Sequence, residues 1–439
     1  MVYLPHWPIP YSLGKREIDY EMVFERMNEV LKRLGNPHEN LPPTIHVTGT
    51  NGKGSVIAFI AAILRSANFK VDVYSSPHLI NCNERIVING EKISDSLLYQ
   101  IMEEARIASQ ETALSFFEGF TIGSMIAFSK YSTSDILLIE VGMGARIDPT
   151  NIIKNKLCSV ITPISLDHCE YLGDDVGKIA LEKSYIIKAN TPVVIGPQPT
   201  LSKKIIEIIA KDQNAPLHKY EDDFKIEIDE ETEKFDFLFN CNEFKDIIKP
   251  RLLGKHQYIN ASIAIAACLS AGIPITLENI NFGMQNVDWP SRIEKINNGL
   301  SKIIKNYPSE IFIDGAHNLS GANSLAIWLQ DEINSDKRNN IKKENYIIVG
   351  FSKNKCKKEF LAKFRDISTQ VISTRVNGEP IPEEPSTISK IGSEISMTIP
   401  YFEDLLEIFN YINNITRSPC RIVICGSLHL ARDVKKYGG

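Results

Sequence analysis

The sequence has little cysteine, glycine or proline, and these scarcities exclude several classes of protein. Its 8 cysteines are spread over 439 residues, and no two are separated by two residues, so zinc knuckles and thioredoxin-type redox pairs are excluded. With 25 glycines and 22 prolines, the chain is neither collagen-like nor of low complexity. Sparse cysteines are typical of reduced thiols in the cytoplasm.

The chain also lacks long apolar runs and an excess of positive charge. Its most apolar segment, 261–271, falls short of the roughly 18 apolar residues that span a bilayer. Residues 1–11 lack the basic start and apolar stretch of a signal peptide. Because Lys and Arg number 49 and Asp and Glu 54, the formal net charge of -5 gives no overall attraction for a nucleic-acid backbone. We predict a cytoplasmic protein with no nucleic-acid or membrane partner.

The length of the chain indicates two large domains rather than one. Apolar segments of strand length alternate with segments of helix length, which predicts an α/β fold with a mostly parallel sheet covered on both faces. Segment 220–239 alternates apolar and charged residues and predicts a small β excursion. We predict an N-terminal domain over residues 1–290 and a smaller α/β domain over residues 291–439.

Apolar runs and breaks also predict the individual elements. The predicted strands are 45–48, 71–74, 136–141, 159–164, 311–314, 346–349, 371–373 and 422–425. The predicted helices are 18–34, 56–67, 97–108, 116–131, 261–269, 322–333 and 405–412.

The strongest local signal is a glycine-rich loop between a predicted strand and a predicted helix. The loop consists of Gly49, Thr50, Asn51, Gly52, Lys53, Gly54 and Ser55. Glycines let backbone N–H groups converge on phosphate oxygens, the helix N-terminus adds positive potential, and Lys53 supplies charge. The stricter phosphate-loop spacing is not met, because only two residues separate Gly49 from Gly52 and Gly54 precedes Ser55. The loop predicts a nucleotide phosphate site; a Gly-rich turn is the alternative.

Together with several short segments C-terminal to it, this loop resembles the folylpolyglutamate synthase/dihydrofolate synthase family, a branch of the Mur ligase superfamily. The resemblance covers most of the chain and rests on the order and spacing of short pieces that are individually weak. The pieces are 74–79, 83–86, 140–142, 148–151, 166–168, 182–183, 254–257 with Asn260, 290–292 and 314–318. The resemblance implies a P-loop NTPase-like N-terminal domain and a Rossmann-like C-terminal domain.

The resemblance also implies two Mg²⁺ sites. Ser76 and Glu140 would hold the first ion beside the nucleotide, with Ser55 as an auxiliary ligand or phosphate contact, and His168 would bind the second. Glu140 ends a predicted strand, at the sheet edge where α/β proteins bind ligands, and a carboxylate beside phosphates suits Mg²⁺. The alternatives are a solvent-facing Glu140 and a structural or exposed His168.

Lys183 corresponds to a lysine that the family carbamylates with CO₂, which would make it an anion able to reach a metal. Carbamylation needs a free amine, and therefore a pKa below the usual value of about 10.4. Here Ser184 and Tyr185 stand where the family commonly has Ala-Gly, so Tyr185 could crowd the carbamate or hydrogen-bond it. Ala145 and Ser291 also replace glycines of the family. An exposed helical lysine is the alternative for Lys183.

By the same resemblance, residues from both domains contact the nucleotide. Besides the loop, they are Asn260, Arg292, Asp314 and His317. An Asp between a strand and a helix is also a common helix cap, which is the alternative for Asp314. The candidate walls for a pterin-bearing substrate are Ser76, Pro77, His78, Phe117, Glu118 and Thr121.

The implied activity is ATP-dependent ligation of L-glutamate to dihydropteroate, to reduced folates, or to both, by a monomer with Mg²⁺. The implied catalytic residues are Lys53, Glu140, His168 and Lys183. A Mur-type amino-acid ligase is disfavoured, because such enzymes carry a UDP-sugar domain ahead of the loop and only 48 residues precede Gly49 here. A nucleotide-dependent switch without ligase activity is the other alternative. A basic cluster at residues 353–358 has the spacing of a solvated helix start.

Overall fold

The computed structural model describes residues 22–297, 299–367 and 369–437. The chain forms two compact units. The first comprises the described residues through Arg251 together with Tyr258–Val287, and the second comprises Leu252–Gln257 and the described residues from Asp288 onward. Residues 18–21 of the first predicted helix, and the segment 1–11 tested for a signal peptide, lie outside the described residues.

The first unit combines eleven strands and nine helices within the described residues, the last two helices lying after the small β excursion. The strands are β1 Thr44–Thr48, β2 Val71–Tyr74, β3 Ile86–Ile88, β4 Glu91–Lys92, β5 Ile136–Glu140, β6 Lys156–Ile161, β7 Val193–Ile195, β8 Leu217–Lys219, β9 Phe224–Ile228, β10 Phe235–Phe239 and β11 Asn242–Ile247. The helices are α1 Val23–Arg33, α2 Lys53–Ser66, α3 Asp95–Ser109, α4 Phe116–Lys130, α5 Cys169–Leu172, α6 Val176–Ser184, α7 Thr200–Asp212, α8 His256–Ser270 and α9 Leu277–Asn286.

Most strands of the first unit form one sheet in the order β4-β3-β2-β5-β1-β6-β7-β8. Along the order β2-β5-β1-β6-β7-β8 all neighbouring strands run parallel. At the other edge β3 pairs antiparallel with β2, and β4 pairs antiparallel with β3. Every residue of β1 and β5 is buried, which explains why β5 is an almost continuous apolar run in the sequence; β1 buries the polar residues Thr44, His46 and Thr48 as well. The carboxyl ends of β2, β5, β1 and β6 therefore lie side by side.

The predicted β excursion is a separate antiparallel sheet in the order β11-β10-β9. Its central strand buries Phe235, Phe237 and Phe239 and turns the intervening residues outward, which gives the alternating pattern seen in the sequence. The sheet extends to Ile247, eight residues beyond the predicted segment.

The second unit is built on a six-stranded sheet in the order β12-β13-β17-β14-β15-β16, parallel except between β12 and β13. Its strands are β12 Glu294–Ile296, β13 Ser309–Ile313, β14 Glu344–Val349, β15 Gln370–Thr374, β16 Tyr401–Phe402 and β17 Cys420–Cys425. Its helices are α10 Leu319–Arg338, α11 Lys357–Ala362, α12 Pro385–Glu394, α13 Leu405–Ile415 and α14 Leu428–Lys436. The predicted fold class, two α/β sheets with a small β excursion, is confirmed.

Two predicted boundaries were wrong near the glycine-rich loop. The strand predicted over 159–164 lies at Lys156–Ile161, because Pro163 has no N–H to donate to a sheet and the chain leaves β6 before it. The helix predicted from residue 56 begins at Lys53, directly after Gly52.

No helix among the described residues is both long and apolar enough to cross a membrane.

Candidate active site

The candidate site of the first unit lies at the carboxyl edge of its large sheet. Glu140 is the last residue of β5, Gly49 follows β1, and Thr162 follows β6. Ser76 comes two residues after β2. Because these four strands are parallel neighbours, their ends bring the side chains to one edge, the place where open α/β sheets bind ligands.

The glycine-rich loop needs two of its glycines for both backbone and space. Gly49 has φ 143° and Gly52 has φ 88°, which side chains rarely adopt. A Cβ on Gly49 would lie 1.8 Å from Oγ1 of Thr162, and a Cβ on Gly52 would lie 2.5 Å from Oδ1 of Asn260. The structure thus brings Asn260, from α8, against the loop.

Two of the loop amides already have acceptors. The N–H groups of Thr50 and Asn51 both donate to the carbonyl of Pro163, at 3.1 and 3.4 Å. The Thr50 hydroxyl also exchanges hydrogen bonds with the backbone of Ser165. The loop amides that could still meet an anion are those of the first turn of α2, whose N–H groups no helical carbonyl can accept.

Two lysines meet at one carbonyl of the loop. Nζ of Lys183 donates to Gly49 O at 2.8 Å, and Nζ of Lys53 lies 3.3 Å from Gly49 O and from Thr50 O. Burial, and then the charge of Lys53, lower the pKa of the Lys183 amine to about 7, while Asp167 and Asp148 oppose this shift. Lys183 is buried on α6, so the alternative of an exposed helical lysine was wrong.

Two of the residues expected at the first metal site, Glu140 and Ser76, are in contact. Oε2 of buried Glu140 accepts a hydrogen bond from Ser76 N at 3.2 Å, so the alternative of a solvent-facing Glu140 was wrong. The Ser55 hydroxyl is buried without a hydrogen-bond partner, as expected of an oxygen that meets a ligand. No cluster of three His, Cys, Asp or Glu side chains suited to a metal occurs in the described ranges. Mg²⁺ needs only one or two protein oxygens beside phosphates, so these residues fit it.

His168 lies at a different kind of position. It is exposed and left-handed, with φ 51°, at the start of the short helix α5. Its backbone N–H donates to Oδ1 of the preceding Asp167, which is buried and close enough to Lys183 to act on its pKa. In the sequence Asp167 belongs to the piece 166–168, but no role was predicted for it.

A second carboxylate without a predicted role is Asp148. It is buried, and it accepts hydrogen bonds from Met143 N and Thr150 N, each at 3.0 Å. Burial raises the pKa of its carboxyl. Only its place in the piece 148–151 pointed to it. In the same loop Gly144 adopts a positive φ of 64°, whereas the φ of Ala145 is not positive. The backbone at residue 145 therefore suits an alanine.

The proposed substrate walls divide into half-exposed and buried side chains. Phe117 is half-buried, its ring centroid 6.4 Å from that of Tyr74, and its ring occupies the space that a Cβ on Gly142 would need. His78 accepts a hydrogen bond at Nδ1 from Nε of Arg85, at 2.9 Å. Pro77 is exposed and follows a cis peptide bond.

Glu118 and Thr121 face inward instead. Glu118 closes a capping box with Ser115 at the start of α4 and pairs with Arg26 at 2.6 Å. The Thr121 hydroxyl lies 3.0 Å from the Tyr74 hydroxyl. In the described structure these two side chains therefore hold the wall rather than form its surface.

The nucleotide contacts predicted in the second unit include Asp314 and His317, which follow the carboxyl end of β13. Asp314 is buried, and its two carboxylate oxygens accept hydrogen bonds from Ile293 N at 2.8 Å and Ala316 N at 2.7 Å. Nδ1 of His317 lies 2.8 Å from Gly315 O and donates to it, because a carbonyl oxygen can only accept. The alternative of Asp314 as a helix cap was wrong, because Asn318 caps α10.

Ser291 replaces a glycine of the family. Its backbone conformation is strained for a serine. It is fully buried at φ 58°, and its hydroxyl has no hydrogen-bond partner. Ser291→Gly should raise the free energy of unfolding by about 1–3 kcal/mol, because it removes both the backbone strain and the orphaned hydroxyl. Chemical denaturation measures this. Ser291→Ala is the matched control: it removes only the hydroxyl and should gain less, and equal gains would contradict the strain.

Comparisons with known proteins agree with this geometry. Residues 47–268 match the model of the Mur ligase middle domain. Fold and family match together define an ATP-dependent ligase of the Mur ligase superfamily. Residues 298–437 match the dihydrofolate synthetase C-terminal domain. The chain belongs to the folylpolyglutamate synthase/dihydrofolate synthase family, and the predicted family and enzyme class are confirmed.

The similarity extends over nearly the whole chain. The dihydrofolate synthase/folylpolyglutamate synthase of Bacillus subtilis (strain 168) is 30% identical over 439 residues, 96% of each chain. The structure of Mycobacterium tuberculosis folylpolyglutamate synthase complexed with ADP is 26% identical, covers 95% of this chain and 94% of its own, and has a TM-score of 0.82. A bifunctional folylpolyglutamate synthase/dihydrofolate synthase with Mn, AMPPNP and L-glutamate bound is 24% identical over 94% of this chain and 93% of its own; it shares the fold with a TM-score of 0.80.

Proposed function

We propose that this protein uses ATP to join L-glutamate to dihydropteroate, to reduced folates, or to both. The observation that carries the proposal is the meeting of Lys53 and Lys183 at Gly49 O, on the sheet edge that also holds Glu140 and Ser76. A phosphate loop beside a buried carboxylate suits a nucleotide triphosphate. We assign nucleotide and pterin binding to residues 1–290 and glutamate ligation to residues 291–439.

The reaction is dictated by the needs of an amide bond. A carboxylate has no acceptable leaving group, so an oxygen of the acceptor's carboxylate first attacks the γ-phosphorus of ATP, and ADP leaves. The glutamate amine then attacks the acyl phosphate carbon, loses a proton, and phosphate departs. Lys53 would neutralise negative charge on the transferring oxygens, and we assign the same task to Arg292. No nucleophilic side chain is required.

Divalent ions fit the residues at the sheet edge. We assign the first Mg²⁺ to Glu140 and Ser76, with the orphaned Ser55 hydroxyl as a further oxygen, and the second to His168. Bound Mg²⁺ supplies charge neutralisation on the phosphate oxygens. For the nucleotide itself we assign Asn260, which lies against Gly52, and we keep Asp314 and His317 as proposed nucleotide contacts.

Lys183 is proposed to carry a carbamate. CO₂ reacts with a neutral amine, and a pKa of about 7 leaves a large neutral fraction at physiological pH. The 2.8 Å contact with Gly49 O puts the nitrogen at the loop, so the added carboxylate would lie at the phosphate site. The Tyr185 side chain is exposed and would leave room for it.

Bicarbonate should therefore raise the activity of protein depleted of CO₂, and more so at pH 8 than at pH 6, because the neutral amine increases as pH rises through about 7. Lys183→Ala should lose most activity and all of this response. The measurement is initial rate against bicarbonate at each pH. Lys188→Ala, which removes a half-exposed lysine from the segment after α6, is the control and should respond like the parent. Full activity of Lys183→Ala, with no response in the parent, would reject the carbamate.

The half-exposed Phe117 and His78 are proposed as the surface that meets the pterin or aminobenzoate rings. Phe117 offers an aromatic face. Because Arg85 donates to Nδ1 of His78, the imidazole carries its proton on Nε2, which lies 3.9 Å from Sγ of Cys82. Glu118 and Thr121 would support this wall from behind.

The test of the function is the identity of the product. The protein should be incubated with ATP, Mg²⁺ and glutamate, in parallel with dihydropteroate and with tetrahydrofolate. The masses of the products are then measured by mass spectrometry. A mass increase of one glutamyl residue, with glutamate-dependent phosphate release, supports the proposal and identifies the acceptor. Phosphate release that depends on neither the acceptor nor glutamate would indicate a nucleotide-dependent switch instead.

We further propose a monomer in a reducing compartment such as the cytoplasm. All eight cysteines lie in the described residues as free thiols, and four of them are buried. Free thiols are the rule where glutathione keeps the compartment reduced.

A further inference from the structure

We propose that Asn151 and Lys156 are positioning residues for Lys183, because they hold the end of α6 and so place the Lys183 amine at the glycine-rich loop. This inference rests on the proposed function, since it takes the Lys183 carbamate as the group that must be placed. Both residues act through backbone carbonyls that follow Lys183 by two and three residues.

The position of Lys183 depends on how a helix ends. Lys183 and Ser184 are the last two residues of α6, and both are buried. The last carbonyls of a helix have no N–H partner within it. Ile186 N donates to Lys183 O at 3.2 Å and Ile187 N donates to Ser184 O at 3.0 Å, which closes the turn locally. The next carbonyls, of residues 185 and 186, accept from side chains of a distant segment instead.

Asn151 holds the first of these carbonyls. It is buried between β5 and β6, and its Nδ2 donates to Tyr185 O at 3.0 Å and to Ala145 O at 2.9 Å. Lys188 also reaches Tyr185 O, at 3.2 Å, but from a half-exposed position. Because an amide nitrogen has two N–H groups, Asn151 uses both to join the end of α6 to the loop that follows Glu140.

Lys156 holds the second carbonyl. It is the first residue of β6, and its buried Nζ donates to Ile186 O at 3.0 Å and to Oδ1 of Asn151 at 3.1 Å. The Ser159 hydroxyl donates to the same Ile186 O at 3.0 Å. Lys156 thus orients the Asn151 amide and also holds the helix end directly. We call the contacts of Asn151 and Lys156 with Tyr185 O and Ile186 O the α6 tie.

The lysine in the α6 tie is costly at its own position. Both acceptors of its Nζ are neutral groups. Burial, and then the charge of Lys188, lower the pKa of the Lys156 amine well below its usual value, while Asp148 opposes this shift. A buried ammonium without a paired charge opposes folding. Its presence therefore favours a role in placing the helix end over a role in stability.

The backbone just before Lys183 is held as well. Arg146 N donates to Glu182 O at 3.2 Å, and Nε of Arg146 donates to Oε1 of Glu182 at 2.7 Å. Lys183 therefore lies between two anchors that both come from residues 145–156. Its Nζ donates to Gly49 O at 2.8 Å, so the anchors place the amine against the loop.

Tyr185 is compatible with the α6 tie, although the family commonly has glycine there. Its φ of −63° and ψ of −10° are right-handed and need no glycine. Only its carbonyl takes part in the tie, and its side chain is exposed. The replacement therefore leaves the placement of Lys183 intact.

Lys156→Met tests the tie, because it keeps an unbranched apolar stem and removes the donors. In carbamylation the neutral amine nitrogen bonds to the carbon of CO₂ and releases one proton to solvent. The carbamate fraction is measured by ¹³C NMR with ¹³C-bicarbonate, and initial rates are measured against bicarbonate at fixed pH. Lys156→Met should raise the bicarbonate concentration for half-maximal rate by about tenfold and lower the carbamate signal at limiting bicarbonate. Lys156→Arg keeps charged donors and should restore part of both.

Asn151→Ala should raise the same half-maximal concentration by about tenfold. In the double variant with Lys156→Met the increase should be no more than about twofold beyond either single variant, because both residues belong to one tie. Multiplied increases would show two independent effects and contradict the tie. If Asn151→Ala does not fold, Lys156→Met and its arginine counterpart decide the matter alone. Parental bicarbonate dependence and carbamate signal in Lys156→Met would overturn the inference.

The matched control is Ser184→Ala. The buried Ser184 hydroxyl donates to Ala180 O at 2.7 Å, so this variant removes a hydrogen bond inside α6, next to Lys183, and leaves the tie in place. It should keep the parental bicarbonate dependence; a shift as large as that of Lys156→Met would indicate general loosening of α6 and overturn the inference. A parent with neither a bicarbonate response nor a carbamate signal would overturn the proposed carbamate and this inference together. A responsive parent with unresponsive variants of the tie overturns this inference alone.

Discussion

Lys53→Ala should reduce glutamate-dependent phosphate release by about a hundred- to a thousandfold while the fold stays intact. Lys53 opens α2 and holds its ammonium at the carbonyls of Gly49 and Thr50, the mouth of the phosphate loop. Removing one preorganised donor from developing phosphate charge typically costs this much. The side chain is half-exposed and its two contacts are long, at 3.3 Å, so little stability depends on it. The measurements are initial rates and a thermal unfolding curve.

A second consequence appears at Lys183. The charge of Lys53 helps to lower the pKa of the Lys183 amine, so Lys53→Ala should raise that pKa and require a higher pH for carbamylation. Lys130→Ala is the control, because this lysine ends α4 in an exposed ion pair with Glu104. It should keep parental rates. Parental rates in Lys53→Ala itself would reject the phosphate assignment of the loop.

Glu140→Ala should reduce turnover by a similar factor. The carboxylate is buried at the carboxyl end of β5, beside Ser76 N, and it is the charged oxygen ligand that we assign to Mg²⁺. Glu140→Gln keeps an oxygen acceptor for Ser76 N but removes the charge, so it should lose nearly as much activity while staying closer to parental stability. Phosphate release measured across a Mg²⁺ titration separates weakened metal binding from a lost fold.

The control for Glu140 is another buried carboxylate on a strand of the same sheet. Asp72, in β2, accepts a hydrogen bond from Asn89 N at 2.9 Å and has no assigned role in the reaction. Asp72→Asn should keep the parental rate and Mg²⁺ dependence. If Asp72→Asn and Glu140→Gln lose activity equally, burial of charge in the sheet, and not metal binding, would explain the effect.

The sequence predicted the core strands well because burial leaves a direct record in composition. The strand at Val71–Tyr74 was predicted at both ends, and the strands at β1, β5 and β17 to within two residues. Helices with charged outer faces were harder: α6, α7 and α12 were not assigned, since their apolar positions are interrupted and only packing against the sheet decides them.

The candidate site was predicted in part. The loop stands out because its glycines lie between a predicted strand and a predicted helix, whereas Glu140 was proposed as a metal ligand only because of the loop and the family resemblance, and Ser76 only through that resemblance. The contact between Lys183 and Gly49 joins residues 134 positions apart, and no local pattern announces it. Asp167 and Asp148 were likewise found only when folding placed them near that amine.

By itself, the sequence determined the class of fold and the glycine-rich loop between β1 and α2, because apolar periodicity and glycine spacing follow from local geometry. Only the tertiary structure decided the state of the ionisable groups. Whether Lys183 is exposed or buried, and which backbone amides donate to Asp314, depends on chain segments that are distant in sequence. Desolvation and hydrogen-bond partners set those chemical properties, and both exist only after the chain has folded.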